Sequence, residues 1–362
     1  MAYNVIYYGR EHLNQIQDVW RILQTGEEMT LFQSYQWFQM LSDCYVPMDT
    51  REFESIYAVV KLDNTPCMIA PLWIVKKTFR ILNTKGAYLL GRRSFSDYLN
   101  FVYQHFDGSA FDYLLNDLSK KYGIKYFTFE NFRESTSAYA YIVKNYKICR
   151  NSEYPSVGLN LPSSIDGYHK MLSKNSRQNL RTANNRLKKD GRSLVFNFDD
   201  QQVDKELCLK IRESKLVAKS AHFSLYFKYK YRILNSLRYR FHGFIPIMHY
   251  PESKLMTAYD NQGKLRAFFN YAYDPDDTRI RVMAAGTDLD FARYSPGMLL
   301  MYNFIMNAIE EGVLKEVDLT RGDEKYKFSL GGKLSKYHTI KVRMKNQSPF
   351  MMPPMNDNEI NT

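Results

Sequence analysis

The sequence predicts a mixed α/β (α+β) fold built twice in tandem, each copy a mixed, mostly antiparallel sheet flanked by helices. Three observations carry that expectation. Residues 55–76 read as two extended runs around a turn at Asp63-Asn64, and residues 254–274 repeat the plan around Asp260-Asn261-Gln262-Gly263. Residues 114–132 read as helix, glycine-containing turn and strand, and residues 306–324 read the same way, the two matches being offset by about 197 and about 190 positions, as in a duplicated domain with small insertions. A length of 362 residues also exceeds one ordinary core and fits two domains.

Taken in order, the first copy opens on an amphipathic helix at 11–24, with Leu13, Ile16, Trp20 and Leu23 on one face, and continues into its hairpin, helix and strand. A join is expected near 151–163, where NSEYPSVGLNLPSS carries two prolines and glycine- or serine-rich turns. The domains are therefore set at 1–155 and 156–345, with 346–362 as a loose tail. The second copy opens on helices at 164–190 and 204–240, before its hairpin and a third strand at 279–288. In the helix at 296–311 the polar residues Asn303, Asn307, Glu310 and Glu311 form one stripe, which predicts burial against a sheet with the N-terminus presented at one edge. The strand at 315–320 returns across that helix and should run parallel to its predecessor, which makes the sheet mixed.

Composition narrows the function classes. An apolar share of 45% with 24% charged residues is globular. No apolar run reaches the ~18 residues of a membrane span. The opening MAYNVIYYGREHL lacks the basic-then-apolar order of a secretory leader, so a cytoplasmic location is expected. Cys44, Cys67, Cys149 and Cys208 have no CxxC spacing and read as buried structural thiols, and the histidines show no ligand spacing, so no metal is expected. Phosphate loops, dinucleotide fingerprints, nucleophile elbows and zincin helices are absent. The net charge of +12 favours anionic ligands, nucleic acid or lipid headgroups without choosing among them. Its densest segment, SKNSRQNLRTANNRLKKDGR at 173–192, predicts a helix whose basic outer face is either a solvated surface or a contact for phosphates.

Two segments carry candidate chemistry. In SPGMLL (295–300), Ser295 suits a helix cap, Pro296 the first helical position, and Gly297 a close approach of ligand to backbone. Such a start attracts a pyrophosphate, although it reads equally as a plain helix signal. The strand exit DLTRGDEKYK (318–327) then gathers ionisable residues that form either a site or an ion-pair network. Amine acylation needs a base, donors for the oxyanion and an acid for the leaving group. Asp318 or Asp323 suits the base, Arg321 or Lys327 an electrostatic clamp, and Tyr326 the acid; Glu324 and Lys327 read equally as a surface pair. His222, in SAHFSLYF, lies between helices in a loop that either lines an acceptor pocket or, as is more common, holds a satisfied structural histidine.

Together SYQWFQML (34–41), SDY (96–98), the basic helix, FFNYAY (268–273), GTD (286–288), SPGMLL and DLTRGDEKYKFSLG resemble the GNAT-type acyltransferases of the cellulose-biosynthesis kind, relatives of the Fem-like peptidyltransferases. The likeness covers residues 30–340 and is most specific from G-x-D through R-G-D-E-x-Y-K. The resemblance implies two tandem GNAT-like domains, the first degenerate and the second holding the complete acyl-donor site. It implies that the pantetheine of acetyl-CoA or another acyl-CoA pairs with the strand around Val282, Ala284 and Gly286. It also implies that the turn Ser295, Pro296, Gly297, Met298 and Leu299 holds the pyrophosphate, and that the acceptor enters between the domains, where Asn270 and Asp288 join His222. A typical phosphate loop of that family has two glycines near a basic residue, whereas here Gly297 stands alone behind Arg293. The implied activity is N-acylation of an amino sugar or similar amine, a small molecule or saccharide, in cell-surface polysaccharide or envelope synthesis. An anionic membrane surface or a lipid-linked substrate at the inner membrane face is a further expected partner. The alternatives are a Fem-like aminoacyl-tRNA-dependent transferase and a non-catalytic binding protein on the same fold.

Overall fold

The computed structural model describes residues 2–44, 53–75, 86–91, 96–220, 247, 248 and 250–344. His222, most of the second half of the helix expected at 204–240 and the 346–362 tail lie outside them. Among the described residues twelve strands form one sheet. The first six are β1 (Tyr3–Gly9), β2 (Phe53–Leu62), β3 (Thr65–Val75), β4 (Gly86–Leu89), β5 (Tyr126–Arg133) and β6 (Ile148–Asn160). The second six are β7 (Leu194–Asn197), β8 (Lys254–Asp260), β9 (Leu265–Tyr273), β10 (Arg279–Thr287), β11 (Glu316–Arg321) and β12 (Lys333–Arg343).

Their order across the sheet is β1-β2-β3-β4-β5-β12-β6-β11-β10-β9-β8-β7. Counted inward from either edge, five strands of one copy are followed by the last strand of the other. β12 pairs with β5, β6 pairs with β11, and β6 and β12 pair antiparallel with each other. The segment expected to be a linker is thus part of a continuous central strand. Pro155, one of the residues that suggested a turn, fits there because β11 leaves β6 beyond Ser156 and the amide of Gly322 reaches only its carbonyl.

The helices are α1 (Gln17–Leu23), α2 (Tyr35–Cys44), α3 (Gly108–Tyr122), α4 (Ser137–Asn145), α5 (Ile165–Met171), α6 (Lys174–Lys189), α7 (Lys205–Ser220), α8 (Pro296–Glu311) and α9 (Lys325–Ser329). α3 and α8 are the crossovers that make β4–β5 and β10–β11 parallel. Both end on a left-handed glycine, Gly123 and Gly312, which closes the last turn without a Cβ penalty. Asn131 in β5 and Thr320 in β11 are separated by the same interval as those glycines; both have φ 56° and both sit where the strand slips register against its exchanged partner. The duplication therefore extends to single backbone kinks. α5 and α6 stand between the copies and connect β6 to β7.

Core packing follows the exchange. Tyr337, Ile340 and Val342 of β12 are buried in the first copy's core, and Leu159 of β6 in the second's. α8 buries Leu300, Met301, Phe304, Ile305 and Ala308 and turns Glu310 and Glu311 outward, as its stripe requires. α7 covers the opposite face through Cys208, Leu209 and Ile211, which pack with Phe268 and Ala284. Cys208 is buried and Cys67 half-buried, but Cys149 is exposed, so the reading of all cysteines as buried thiols fails there; the Cys44 side chain lies outside the description. Among the described residues no helix is long and apolar enough to cross a membrane.

Because each copy completes the other, fragments 1–162 and 163–362 expressed separately should each self-associate or precipitate, whereas co-expression should give a 1:1 complex. Size-exclusion chromatography with light scattering checks this, and a monomeric, cooperatively melting 1–162 fragment would contradict the exchange.

Candidate active site

The sheet opens where the second copy's parallel pair runs out. β10 and β11 pair only at Arg279–Glu316, Ile280–Val317 and Arg281–Asp318. Beyond that point β10 continues beside β9 to Thr287, while β11 stays with β6 as far as Arg321. A bulge between Val282 and Ala284 and the left-handed Thr320 accompany the parting of the two strands. At the apex of the wedge Thr320 Oγ1 donates to the Val282 carbonyl at 2.8 Å, and further out Arg212 Nη1 donates to the Ala285 carbonyl at 3.1 Å. Of the backbone groups around Val282, Ala284 and Gly286 expected to pair with pantetheine, the Val282 carbonyl is thus already engaged, as is that of neighbouring Ala285. Ala284 packs under α7, and Gly286 lacks a side chain because the Phe268 ring would lie 2.3 Å from its Cβ.

α8 starts at the outer end of β10. A Cβ on Gly297 would stand 2.8 Å from Thr287 Oγ1, so this glycine seats the helix on the strand end. Pro296, Gly297 and Leu299 are buried, leaving Ser295 and Met298 half-exposed. Ser295 is left-handed, with φ 51°, and makes no side-chain cap, contrary to expectation, because capping needs an extended residue at that position. The first-turn amides of α8 therefore carry no side-chain cap, the condition under which a helix start takes an anion. The matching helix of the first copy is closed: Asp107 accepts hydrogen bonds from the amides of Ser109 and Ala110 at the start of α3.

Basic groups from α6 and from the turn after it lie beside the residues that lead into α8. Arg186 of α6 donates to the Arg293 carbonyl at 3.0 Å, and Arg192 lies over the rings of Phe291 and Tyr294. Tyr294 donates to Asp190 at 2.6 Å, a bond that holds this carboxyl below its usual range. The lone glycine of the turn is thus accompanied by three arginines, two of them supplied from outside it.

The residues of the strand exit point in different directions. Asp318 is buried: Oδ1 accepts from Tyr98 at 3.1 Å and from the Thr320 amide, and Oδ2 pairs with Arg281. Both of its oxygens are therefore engaged within the protein, Oδ2 by a buried guanidinium. Arg281 is fully buried and also meets Asp274 at 2.6 Å and Glu316 at 2.7 Å, while Asp274 accepts the Leu31 amide of the first copy. Lys327 is equally occupied: Nζ donates to the carbonyls of Thr320, Arg321 and Gly322 and pairs with Glu324 at 3.0 Å, which fixes the turn after β11 and corrects its assignment as a substrate clamp. Arg321 pairs with Asp97 and faces a polar cavity of about 480 Å³ on the first copy, lined also by Tyr154 and Tyr337. Tyr326 packs against the second core, where burial and nearby Glu324 raise its pKa and Arg212 opposes them. Asp323 is exposed, with no hydrogen-bond partner among the described residues.

Of the acceptor candidates, Asp288 is consumed by structure. It caps the 3₁₀ turn Leu289–Tyr294 and pairs with Arg266 at 2.6 Å. Asn270 is different. It lies opposite Ala284, it is fully buried, and neither its amide nitrogen nor its oxygen has a hydrogen-bond partner. Unpaired buried amides are costly, and this one borders the opening in the sheet. Sequence reasoning missed Arg212, which looks like any basic residue of an amphipathic helix, and Asp107, which HFDGSAF could have revealed as a cap. Among the described residues no group of three or more His, Cys, Asp or Glu side chains is placed to hold a metal ion.

Known proteins resemble the chain in one segment of sequence and in fold. Residues 254–328, from β8 through most of α9, match the model of an acetyltransferase (GNAT) domain. No curated protein matches the chain. The solved structure of FemX is 11% identical, with 93% of this chain and 97% of that one covered at a TM-score of 0.58. L-PGS from Bacillus licheniformis is 12% identical, with 93% and 92% covered at 0.50. A conserved protein of unknown function from Bacteroides thetaiotaomicron VPI-5482 is 13% identical, with 90% and 96% covered at 0.50. At these identities the structural likeness is one of fold. The matched segment gives the second copy the likeness of a GNAT acetyltransferase domain and supports an acyltransferase.

Replacing Arg281 by Met leaves the buried carboxylates of Asp274 and Asp318 uncompensated and should cost about 3–5 kcal/mol of stability. Urea denaturation measures it. Arg281→Lys, which keeps the charge but not the fork, should fall between the two.

Proposed function

We propose that the chain is an acyl-CoA-dependent N-acyltransferase whose acceptor is an amino sugar or similar amine used in cell-surface polysaccharide or envelope synthesis. The contrast between the two helix starts supports this most directly: α3 is closed by its own Asp107, while the α8 start is left without a side-chain cap beside arginines and the end of a splayed strand. On this reading residues 1–155 form a degenerate copy that serves the acceptor, residues 156–345 hold the donor, and 346–362 are a tail. The uncapped amides of α8 and the guanidinium groups of Arg186, Arg192 and Arg293 bind the pyrophosphate. Ser295 and Met298 form the accessible rim, and the strand from Val282 to Gly286 guides the pantetheine through those backbone groups that remain free. The bound acyl-CoA supplies an activated acyl group. Asp323 takes the proton of the acceptor ammonium, and the phenol of Tyr326, kept protonated by burial, gives its proton to the departing sulfur. Asn270 offers the acceptor an amide already stripped of water, and Arg321 faces the cavity through which a saccharide reaches the wedge. The protein works in the cytoplasm or at the inner membrane face, where a lipid-linked substrate would meet its basic surface.

A second reading, an aminoacyl-tRNA donor, draws on the exposed basic face of α6 beside the same helix start. It requires tRNA binding that weakens steeply with salt. A non-catalytic role on this fold requires that substitutions at Asp323 and Tyr326 be without consequence.

Calorimetry should show acetyl-CoA binding to the wild type, and Ser295→Asp, which carries the first copy's carboxylate to the α8 start, should weaken it at least about tenfold with melting temperature retained. Loss of binding by neither protein, or absence of binding by both, would defeat the donor assignment. Tyr326→Phe should lower kcat by about 10²-fold or more with little change in KM. Because the wild-type phenol titrates above its ordinary value, activity should not fall on the alkaline side until beyond about pH 10, as a pH–rate profile would show.

A further inference from the structure

We propose that the cavity between α5, α6 and α8 binds a phosphorylated nucleoside. The cavity holds about 460 Å³, within the range of small-molecule sites, and is built on the helical pair that connects the two copies. Its floor is apolar, formed by the buried Leu172 and Leu180. One wall is an aromatic shelf: the rings of His169 and Tyr302 are parallel to within 11°, with centroids 6.2 Å apart, and are linked by a 2.8 Å hydrogen bond between Nε2 and the phenol. Such a shelf accepts the face of a nucleobase without discriminating its edge. Tyr168, fully buried behind it, donates to the Leu330 carbonyl and keeps the shelf from collapsing inward.

Charge selects the rest of the ligand. Lys170, Arg177 and Arg181 face the cavity against one acid, Asp166. Arg177 is the anchored member: Nη1 donates to the carbonyls of His169 and Leu172 at 2.9 and 2.7 Å, which fixes the guanidinium plane before any ligand arrives. Its remaining donors have no hydrogen-bond partner among the described residues. A pre-fixed fork of this kind matches a phosphate at little cost in side-chain freedom. Lys170 and Arg181 are exposed and close the rim.

Position identifies two sources for this chemistry. Tyr302 follows Pro296 by six residues, about 9 Å along the axis of α8, and α6 runs from the cavity at Arg181 to the α8 start at Arg186. The 3′-phosphoadenosine end of an acyl-CoA donor would reach the cavity from there; a free nucleotide would occupy it separately. Only the first source rests on the donor reading given above.

The experiment is calorimetry of adenosine 3′,5′-bisphosphate against the full-length protein, Lys170→Gln/Arg181→Gln and Tyr302→Ala, with unphosphorylated adenosine as control. Binding by the wild type that each variant weakens at least about tenfold, with adenosine weaker by a similar factor, is the expected result. Circular dichroism establishes that the variants remain folded. Titrating coenzyme A against the same variants separates the sources: coenzyme A affinity that falls in step with that of the bisphosphate assigns the cavity to the donor, and coenzyme A affinity unchanged while that of the bisphosphate falls assigns it to a separate nucleotide. Absence of bisphosphate binding at millimolar concentration, or affinity unchanged in the variants, overturns the proposal. If coenzyme A itself fails to bind, the donor reading falls while the bisphosphate titration still decides the cavity.

Discussion

A fully buried guanidinium holds the centre of this molecule in place. Arg281 sits among Asp274, Glu316 and Asp318, and two of those carboxylates also accept bonds from the first copy, through the Leu31 amide and the Tyr98 phenol. In a medium of low polarity such charges are tolerable only together, so all four charged groups must arrive in one geometry. That geometry fixes the last paired residues of β10 and β11, and hence the point at which the sheet parts. It also locks the orientation of the copies, because the same carboxylates serve both. The opening is held from behind by an ion cluster rather than by the strands that line it.

The asymmetry between the copies is small and electrostatic. Their strand order, their crossover helices, the left-handed glycines that end those helices and even the kinks at Asn131 and Thr320 correspond. The difference lies at one helix start, where the first copy supplies a carboxylate and the second a left-handed serine that cannot cap. In the first copy the side-chain amide of the equally kinked Asn131 donates to the Ser96 carbonyl, as the Thr320 hydroxyl donates to that of Val282 in the second. Duplication therefore kept the scaffold in both halves, while of these two helix starts only that of α3 carries a side-chain cap.

Much of this was legible in the sequence, for reasons that are local. Turn residues at Asp63-Asn64 and Asp260–Gly263, the glycines after two amphipathic helices and the stripe on 296–311 each signal through neighbours a few positions away. The exchange of β6 and β12 was not legible, because strand partners some 180 residues apart leave no mark on spacing, and Pro155 imitates a turn where a neighbouring strand simply departs. The ionisable run 318–327 was correctly seen as dense but not as divided. Whether Asp318 faces Arg281 or Lys327 folds back on three carbonyls depends on a bulge and a left-handed residue that a pattern of alternating side chains cannot anticipate.

The exchanged strands also set the order in which the chain can become whole during synthesis. Once β6 has been made, its central partner β12 lies about 170 residues ahead, roughly 10–35 s at ordinary rates of elongation. Throughout that interval β5 and β6 present unpaired edges, which are templates for pairing with the wrong chain. Loop closure over so long a span is slow as well as late. The nascent first half is thus a natural client for chaperones, and the same vacancy offers two crowded nascent chains a route to swap their last strands into a dimer.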